Sequence, residues 1–143
     1  MTKKIIRVLG IESSCDETSV SIVEKANNKF KVLSNVVKSQ IDIHKFYGGV
    51  VPELAARAHS DVIDKLVIQA LSEAKITFKK IDAISATAGP GLLGGLLVGV
   101  VAAKTLAHYL KKPFIAVNHL EGHALSIKLE KKIEYPYLLL LVS

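Results

Sequence analysis

Cysteine is almost absent from this sequence, since Cys15 is the single one among 143 residues. That excludes a small domain stapled by disulfide bonds, which needs cysteines in pairs. Tryptophan is absent, aromatic residues make up 6% of the chain and charged residues only 22%. A disordered protein has many charges and few apolar residues, whereas 50% of this chain is apolar, so disorder is excluded too.

An uninterrupted apolar run long enough to span a membrane is also lacking. The most apolar stretch, 91–103, ends at Lys104, and extending it backwards crosses Pro90. A spanning helix needs about 20 mostly apolar residues, so we interpret this stretch as a buried helix. The first residues contain neither the apolar core of a signal peptide nor an arginine-rich presequence, which makes the cytoplasm the expected location.

The chain does have more apolar character than a domain of its size needs. Its mean hydropathy is +0.35, although a small domain has a large surface to cover with polar residues. We therefore expect apolar surface that meets another piece of protein. The net charge of +6 permits a nucleic-acid partner but does not require one, because the lysine pairs are spread along the chain.

Hydrophobic periodicity predicts an α/β domain with the element order βββαβαβαβ and a mixed sheet. The predicted strands cover residues 5–11, 19–24, 30–39, 81–88, 113–117 and 135–142. The predicted helices cover 52–75, 91–110 and 118–129, with a loop over 41–51. Short connections make the first three strands an antiparallel meander, and the later units add strands and place helices on both faces. His59, in the first predicted helix, is expected at the surface.

Polar residues fill the turn between the first two predicted strands. The N–H and hydroxyl groups of Ser13 and Ser14 suit phosphate oxygens, and Asp16 or Glu17 could hold a metal bound to a nucleotide. The same residue types are ordinary turn formers in a hairpin. Both interpretations stay open on the residues alone.

A glycine-rich turn with Gly89 and Gly91 joins the fourth predicted strand to the second helix. The N–H groups at the start of such a helix can receive an anion, although neither a dinucleotide nor a Walker A pattern is present. Inside the helix, Gly94, Gly95 and Gly99 cost about 1 kcal/mol each relative to alanine. We therefore expect another backbone to pack closely against that face, at an interface.

The sharpest pattern is the segment 119–123 (HLEGH), which directly follows the fifth predicted strand. Open α/β sheets place ligands at the carboxyl ends of strands, and His119 and His123 would share one face of a helix and could bind one metal. A chance pair of surface histidines is the alternative. A metal site needs a third ligand, for which Asp16 and His44 are the candidates unless that ligand lies outside this chain.

Four segments together resemble the tRNA threonylcarbamoyladenosine transferases of the TsaD family, over residues 5–143. They are 9–18 (LGIESSCDET), 47–59 (YGGVVPELAARAH), 87–92 (TAGPGL) and 118–123 (NHLEGH), in the family's order. The chain looks nearer to bacterial or mitochondrial members than to archaeal ones. The resemblance implies the ASKHA fold, with two ribonuclease H-like lobes, and residues 1–143 would be the N-terminal lobe.

The resemblance also implies an activity. The family transfers the threonylcarbamoyl group from threonylcarbamoyl-AMP to N6 of the adenosine just 3′ of the anticodon, in tRNAs that read codons beginning with A. By this match His119 and His123 would bind one divalent ion, Fe²⁺ or Zn²⁺, together with an aspartate of the second lobe.

Further site residues follow from the same match. Asp16 and Glu17 correspond to acidic residues that act in catalysis or in binding the metal nucleotide. The expected substrate-binding residues are Ser13, Ser14, Gly89, Gly91, Leu141, Val142 and Ser143, of which the last three begin a family motif that this chain does not complete.

Family members are considerably longer, so we expect a truncated chain that is inactive alone. The implied partners are tRNA, a TsaB-like paralogue or a second copy on this lobe, and a TsaE-like ATPase, with no membrane. A non-catalytic TsaB-like scaffold is one alternative, disfavoured by the histidine pair. A metalloprotease is another, disfavoured because no glutamate directly follows His119 as in HExxH proteases.

Overall fold

The structure is a computed structural model that describes residues 5–142. Its strands are β1 (Ile6–Glu12), β2 (Glu17–Ala26), β3 (Lys29–Ser39), β4 (Ala83–Gly89) and β5 (Phe114–Asn118). Its helices are α1 (Ile41–His44), α2 (Pro52–Ala74), α3 (Leu93–Leu110) and α4 (His119–Ser126). Single 3₁₀ turns lie at Lys45–Tyr47, Phe78–Lys80 and Ile127–Leu129.

The strands form one mixed sheet in the order β3-β2-β1-β4-β5. The first three strands are an antiparallel meander, in which Ile11 lies opposite Val20. Strand β4 then pairs parallel with β1, and β5 pairs parallel with β4. The carboxyl ends of β1, β4 and β5 therefore meet at one edge of the sheet, as parallel strands require.

The core lies between this sheet and the pair α2–α3. Leu9 in β1, Ile22 in β2 and Ile84 in β4 are fully buried, because alternate side chains of a strand point to the same face. Helix α2 begins with Pro52 at its first turn, where a missing N–H costs nothing. Its buried side chains are Ala55, His59, Ile63, Leu66, Val67, Ala70 and Leu71.

Glycines of α3 allow this helix to pack very closely against the turn at Ser13 and against α2. A Cβ on Gly95 would lie 2.3 Å from the Ser13 carbonyl oxygen, and one on Gly99 would lie 2.2 Å from the Ser13 hydroxyl oxygen. A Cβ on Gly94 would lie 3.1 Å from the Cβ of Ala56 in α2. The expected close packing of a backbone is thus confirmed at Gly95, whereas Gly94 and Gly99 are closest to side-chain atoms. The expectation of an interface there is wrong, because the packed atoms belong to this chain.

The outer face of α3 carries part of the exposed apolar surface. This helix has 18 residues and a mean hydropathy of 1.5, enough to cross a membrane by length and composition, and 28% of it is buried. Its inner face packs on the sheet and α2. On its outer face Leu93, Leu97 and Val101 are more than half exposed, at 73%, 53% and 56%.

The predicted strand over 135–142 is wrong, since residues 131–142 contain no strand. An extended apolar segment becomes a strand only by pairing its backbone with a neighbour, and this one pairs with none in the part of the chain described. Leu138 and Leu140 are 97% and 82% exposed, and the Tyr137 hydroxyl donates to the Ala124 carbonyl oxygen at 2.6 Å. The predicted loop over 41–51 is wrong in part, because it begins with α1 and a 3₁₀ turn.

Candidate functional site

The ends of three parallel strands bring one polar side chain each to the same point. Glu12 is the last residue of β1, Thr87 lies near the end of β4, and His119 follows β5 directly. The register pairs Ile11 with Ala86 and Thr87 with Val117, so these ends are level across the sheet. Asn118 caps α4 by accepting from the Leu120 N–H at 2.9 Å, which starts the helix at His119.

Glu12 is the hub of the hydrogen bonds at this edge. One carboxylate oxygen accepts from the Ser14 N–H, and the other accepts from the Thr87 hydroxyl. That second oxygen also lies 3.4 Å from Nδ1 of His119. Burial raises the pKa of Glu12, but the hydrogen bonds from Ser14 and Thr87 and the neighbouring His119 bring it below its ordinary value on balance. The carboxylate is therefore ionised at neutral pH.

The two histidines of α4 face each other. Their Nε2 atoms are 3.1 Å apart, and the rings meet edge to face. Nδ1 of His119 faces Glu12 and also lies 3.2 Å from the Ser14 hydroxyl oxygen. Because the carboxylate can only accept a hydrogen bond, Nδ1 carries the proton and Nε2 presents a lone pair. The resulting Nε2 pair is spaced as two nitrogen ligands of one tetrahedral metal at about 2.0–2.1 Å would be.

A cleft of about 370 Å³ opens over this edge, and we call it the histidine cleft. Its lining residues are Glu12, Ser14, Cys15, Asp16, Glu17, Thr87, His119, Gly122, His123 and Ser126. A second space of about 560 Å³, the adjoining cavity, shares Ser14, Cys15 and the two histidines with it. The remaining residues around the adjoining cavity are Pro90, Gly91, Leu92, Leu120, Leu141 and Val142.

Most of the residues predicted for the site meet at these two spaces. Asp16 and Glu17 line the histidine cleft, Ser14 lines both, and Gly91 lines the adjoining cavity. Leu141 and Val142 lie there too, although their segment is not the strand we predicted.

Two predicted substrate-binding residues, Ser13 and Gly89, do not line either space. The Ser13 side chain is 1% exposed and donates to the Gly95 carbonyl oxygen at 2.9 Å, so it anchors the turn to α3. Gly89 ends β4 with φ at +143°, a backbone conformation that side chains disfavour. Ser143 lies outside the described residues.

The proposed third ligand His44 is wrong. It is 4% exposed, and its two ring nitrogens bond to the Gln40 side chain and the Val51 N–H. Asp16 lines the same cleft as the pair, yet residues 5–142 contain no group of three side chains placed to hold one metal. The described residues therefore place two histidine nitrogens side by side, without a third side chain positioned to share a metal with them.

Sequence reasoning missed Glu12 and misplaced His59. Glu12 was detectable, because a carboxylate that directly follows a buried parallel strand lies where open α/β sheets bind ligands. His59 was expected at the surface but is 0% exposed. Its position four residues from Ala55 and from Ile63 puts it on the buried stripe of α2, which was the available signal.

Solved structures of known proteins confirm the ribonuclease H-like fold class. YeaZ from Pseudomonas aeruginosa matches with a TM-score of 0.61 and 22% identity, over 84% of this chain and 48% of that one. RuvC from Thermus thermophilus, solved in complex with a Holliday junction substrate, matches with a TM-score of 0.53 and 17% identity. That match covers 93% of this chain and 83% of RuvC. Identities this low establish the fold alone.

Relatives found by sequence share a far higher identity with this chain than these solved structures do. The tRNA N6-adenosine threonylcarbamoyltransferase of Bartonella bacilliformis is 59% identical over 139 residues, which are 96% of this chain and 38% of the relative. The enzyme of that name from Brucella ovis is 58% identical over 96% of this chain and 39% of its own length. The chain thus spans about two fifths of the relatives it matches. The model of TsaD, tRNA N6-adenosine threonylcarbamoyltransferase, matches residues 31–143. Together with the four motifs, these matches show that the chain belongs to the TsaD family.

Proposed function

We propose that this chain supplies the metal-binding and nucleotide-facing lobe of a tRNA threonylcarbamoyltransferase. The reaction forms a bond between N6 of the adenosine 3′ of the anticodon and the carbamoyl carbon of threonylcarbamoyl-AMP. The bond from that carbon to the phosphate oxygen breaks, AMP leaves, and N6 loses one proton. The observation that carries the proposal is the His119–His123 Nε2 pair in a cleft that three acidic residues also line.

His119 and His123 would hold the metal, Fe²⁺ or Zn²⁺, with further ligands from the rest of the protein. Such an ion acts as a Lewis acid or a template on the mixed anhydride between the carbamoyl group and phosphate. The chain's own part is to prepare the ligands. Glu12 fixes the protonated Nδ1 of His119, and a carboxylate on the far nitrogen orients and strengthens an imidazole ligand.

Asp16 and Glu17 provide the acidic side of the cleft. They flank the junction between the turn and β2, and both line the histidine cleft. A carboxylate here can accept the proton released by N6 or hold a magnesium ion on the nucleotide. Ser14 joins the two halves of the site, because its hydroxyl lies 3.2 Å from His119 while its backbone lies in the turn.

The adjoining cavity is the place for the adenylate substrate. Gly91 approaches the turn so closely that a Cβ on it would lie 2.8 Å from the Ser14 carbonyl oxygen. The Leu92 N–H donates to that same oxygen at 2.8 Å. The glycine turn before α3 and the polar turn before β2 are thereby held together, with Leu141 and Val142 as the apolar wall opposite.

The partners follow from charge and exposed surface. The net charge of +6 suits tRNA. The exposed apolar stripe of α3 suits a TsaB-like paralogue or a second copy of this chain, and a TsaE-like ATPase would join that assembly. The cytoplasm, where tRNA is modified, is the proposed location, and the rest of the relatives' length is the proposed source of a second lobe.

Metal content and tRNA modification test the proposal. We expect the 143-residue chain to retain metal weakly and transfer nothing, and a form extended to the relatives' length to do both. In the extended form, His119→Ala should lose metal and activity together. Full transfer by the 143-residue chain would overturn the two-lobe proposal, and metal-free activity of the extended form would overturn the role of the histidine pair.

A further inference from the structure

A buried polar cluster lies beneath the turn that carries Asp16. Its members are Thr18, Gln40, His44 and His59, with exposed fractions of 0%, 3%, 4% and 0%. Polar side chains buried to this extent destabilise a fold unless each finds hydrogen-bond partners. The partners that they find show what the cluster does.

The hydrogen bonds of His59 define one tautomer. Its Nε2 lies 3.1 Å from the Cys15 carbonyl oxygen, which can only accept, so Nε2 carries the proton. Nδ1 is then an acceptor, and it receives the Thr18 hydroxyl at 2.7 Å and the Gln40 amide nitrogen at 3.1 Å. A neutral ring thus bridges the backbone of the turn and the side chains beneath it.

The hydrogen bonds of Gln40 and His44 extend this network, and each of them has a defined donor and acceptor. The Gln40 amide oxygen accepts from Nε2 of His44 at 3.1 Å, which leaves Nδ1 of His44 to accept from the Val51 N–H at 3.3 Å. The backbone N–H of Gln40 donates to the Asp16 carbonyl oxygen at 3.0 Å. The cluster therefore holds two consecutive carbonyls, those of Cys15 and Asp16.

Helix α3 holds the preceding residues of the turn. The Leu92 N–H donates to the Ser14 carbonyl oxygen, and the Ser13 hydroxyl donates to the Gly95 carbonyl oxygen. The carbonyls of residues 14, 15 and 16 are thus all bound on the inner side. The same three residues line the histidine cleft on their other side.

We propose that His59 is a positioning residue of this site, acting through the Cys15 carbonyl. Together with Gln40 it fixes the turn so that Ser14 reaches His119 and Asp16 lines the cleft. The proposal rests on the proposed function for its effect on catalysis. A rigid imidazole with one donor and one acceptor fits this place, since leucine would remove the ring's hydrogen bonds to the Cys15 carbonyl and the Thr18 hydroxyl.

The kinetic test compares three variants of the protein extended to the relatives' length. His59→Leu removes every hydrogen bond of the ring, and His59→Gln keeps one donor and one acceptor. Leu71→Ala, in the core near the far end of α2, is the control that loses stability without touching the turn. All are assayed for transfer to tRNA at a temperature where each is folded.

We expect His59→Leu to lower kcat by more than about 10-fold with a smaller change in KM, because small displacements of reacting groups have large effects on rate. His59→Gln should recover much of that loss, and Leu71→Ala should keep the kcat of the parent. A kcat for His59→Leu equal to that of Leu71→Ala would overturn the proposal.

A spectroscopic test is independent of catalysis. Imidazole ¹⁵N resonances of the parent protein should show His59 protonated on Nε2, and His59→Gln should shift the backbone amides of residues 14–18 more than Leu71→Ala does. Protonation on Nδ1 or an unshifted turn would overturn the proposal, even if His59→Leu does not fold. The two proposals can fail separately. If the parent shows this tautomer and the variant shows these shifts, but the parent transfers nothing to tRNA, the proposed function is overturned and the positioning role of His59 is not.

Discussion

At the histidine cleft, side chains from three strand ends depend on one another for their orientation. Glu12 receives the Thr87 hydroxyl and the Ser14 N–H, both of which are donors, and still faces the protonated nitrogen of His119. Only an ionised carboxylate has enough acceptor sites for three donors. A single side chain at the end of β1 thus sets the lone pair that His119 presents.

Replacing Glu12 by glutamine should weaken metal binding. Glutamine has one acceptor oxygen, and its NH₂ group would face a second donor, so His119 loses its fixed orientation. We expect Zn²⁺ affinity to fall by about 10–100-fold, as when other partners of metal-bound histidines are removed. Competition with a chromophoric chelator measures it.

Glu121→Gln is the matched control for that substitution. Glu121 lies between the two histidines in sequence, but the described lining of the histidine cleft does not include it. Its variant should bind Zn²⁺ as the parent does. Equal affinities of Glu12→Gln and Glu121→Gln would contradict the role of Glu12.

Protonation of His59 should destabilise the fold in mild acid. Burial lowers the pKa of His59, and the nearby His44 lowers it further. The hydrogen bond to the Cys15 carbonyl and the negative charges of Glu12 and Asp16 raise it, but the net pKa stays below the ordinary value. The unfolded chain, in which histidine titrates near about 6.5, then binds more protons than the folded chain below that pH. Stability contributed by neutral His59 is complete above about pH 6.5 and falls with decreasing pH, by at most about 1.4 kcal/mol per pH unit.

Urea unfolding between pH 5 and pH 8 measures this dependence. His59→Gln cannot titrate, so its free energy of unfolding should fall less steeply in acid than that of the parent. Other titrating groups affect both proteins and cancel in the comparison. Parallel pH curves for the two proteins would contradict the expectation.

At the scale of elements, helices and strands could be predicted from the sequence where side-chain periodicity and turn residues agree. Helix α2 begins at Pro52 as predicted and ends at Ala74, one residue before the predicted end. The sheet strands were placed within about two residues of their bounds, and asparagine or glycine marks the ends of β2, β4 and β5. The segment 135–142 was predicted as a strand from the same kind of run, and it failed because pairing depends on a neighbour that composition does not reveal.

Helix α3 shows that glycine at a buried position can outweigh helix propensity. Alanine in place of Gly95 would gain about 1 kcal/mol of intrinsic helix propensity. Its Cβ would lie 2.3 Å from the Ser13 carbonyl oxygen and 3.2 Å from Nε2 of His59. Backbone cannot move aside as a flexible side chain can, so we expect Gly95→Ala to destabilise the fold by about 1–3 kcal/mol. Urea unfolding measures it.

Gly49→Ala serves as the control for this packing effect. Gly49 lies in the exposed loop before α2, and a Cβ there meets nothing within 4 Å. Its variant should match the parent in free energy of unfolding within about 0.5 kcal/mol. A Gly95→Ala protein as stable as Gly49→Ala would show that the turn can move away from α3.

At the scale of the whole molecule, part of the apolar excess in the composition lies on one face of α3. The glycine face of α3 is filled by the Ser13 turn and by α2, so it is not the surface that meets a partner. The opposite face leaves Leu93, Leu97 and Val101 exposed at spacings of four residues. The composition predicted that apolar surface exists, but only the packing of α3 decides which face remains outside.

A groove beside this stripe extends the apolar surface onto α2. It has a volume of about 480 Å³ and includes Ile63, Val67 and Ile68 of α2 with Leu106 and Tyr109 of α3. A contiguous apolar patch of this kind marks an interaction site on a folded protein. We therefore expect the chain alone to associate through α3 and α2 as its concentration rises.

Charges on the outer stripe should abolish that association without unfolding the chain. Leu97→Glu combined with Val101→Glu places two carboxylates on positions that are 53% and 56% exposed, so the core is untouched. Sedimentation should show a monomer where the parent associates, with the free energy of unfolding within about 1 kcal/mol of the parent. Phe46→Glu, at a position 81% exposed on the loop after α1, is the control and should associate like the parent. If the double variant associates as strongly as Phe46→Glu, the surface that meets a partner lies elsewhere, and the exposed face of α3 is apolar for another reason.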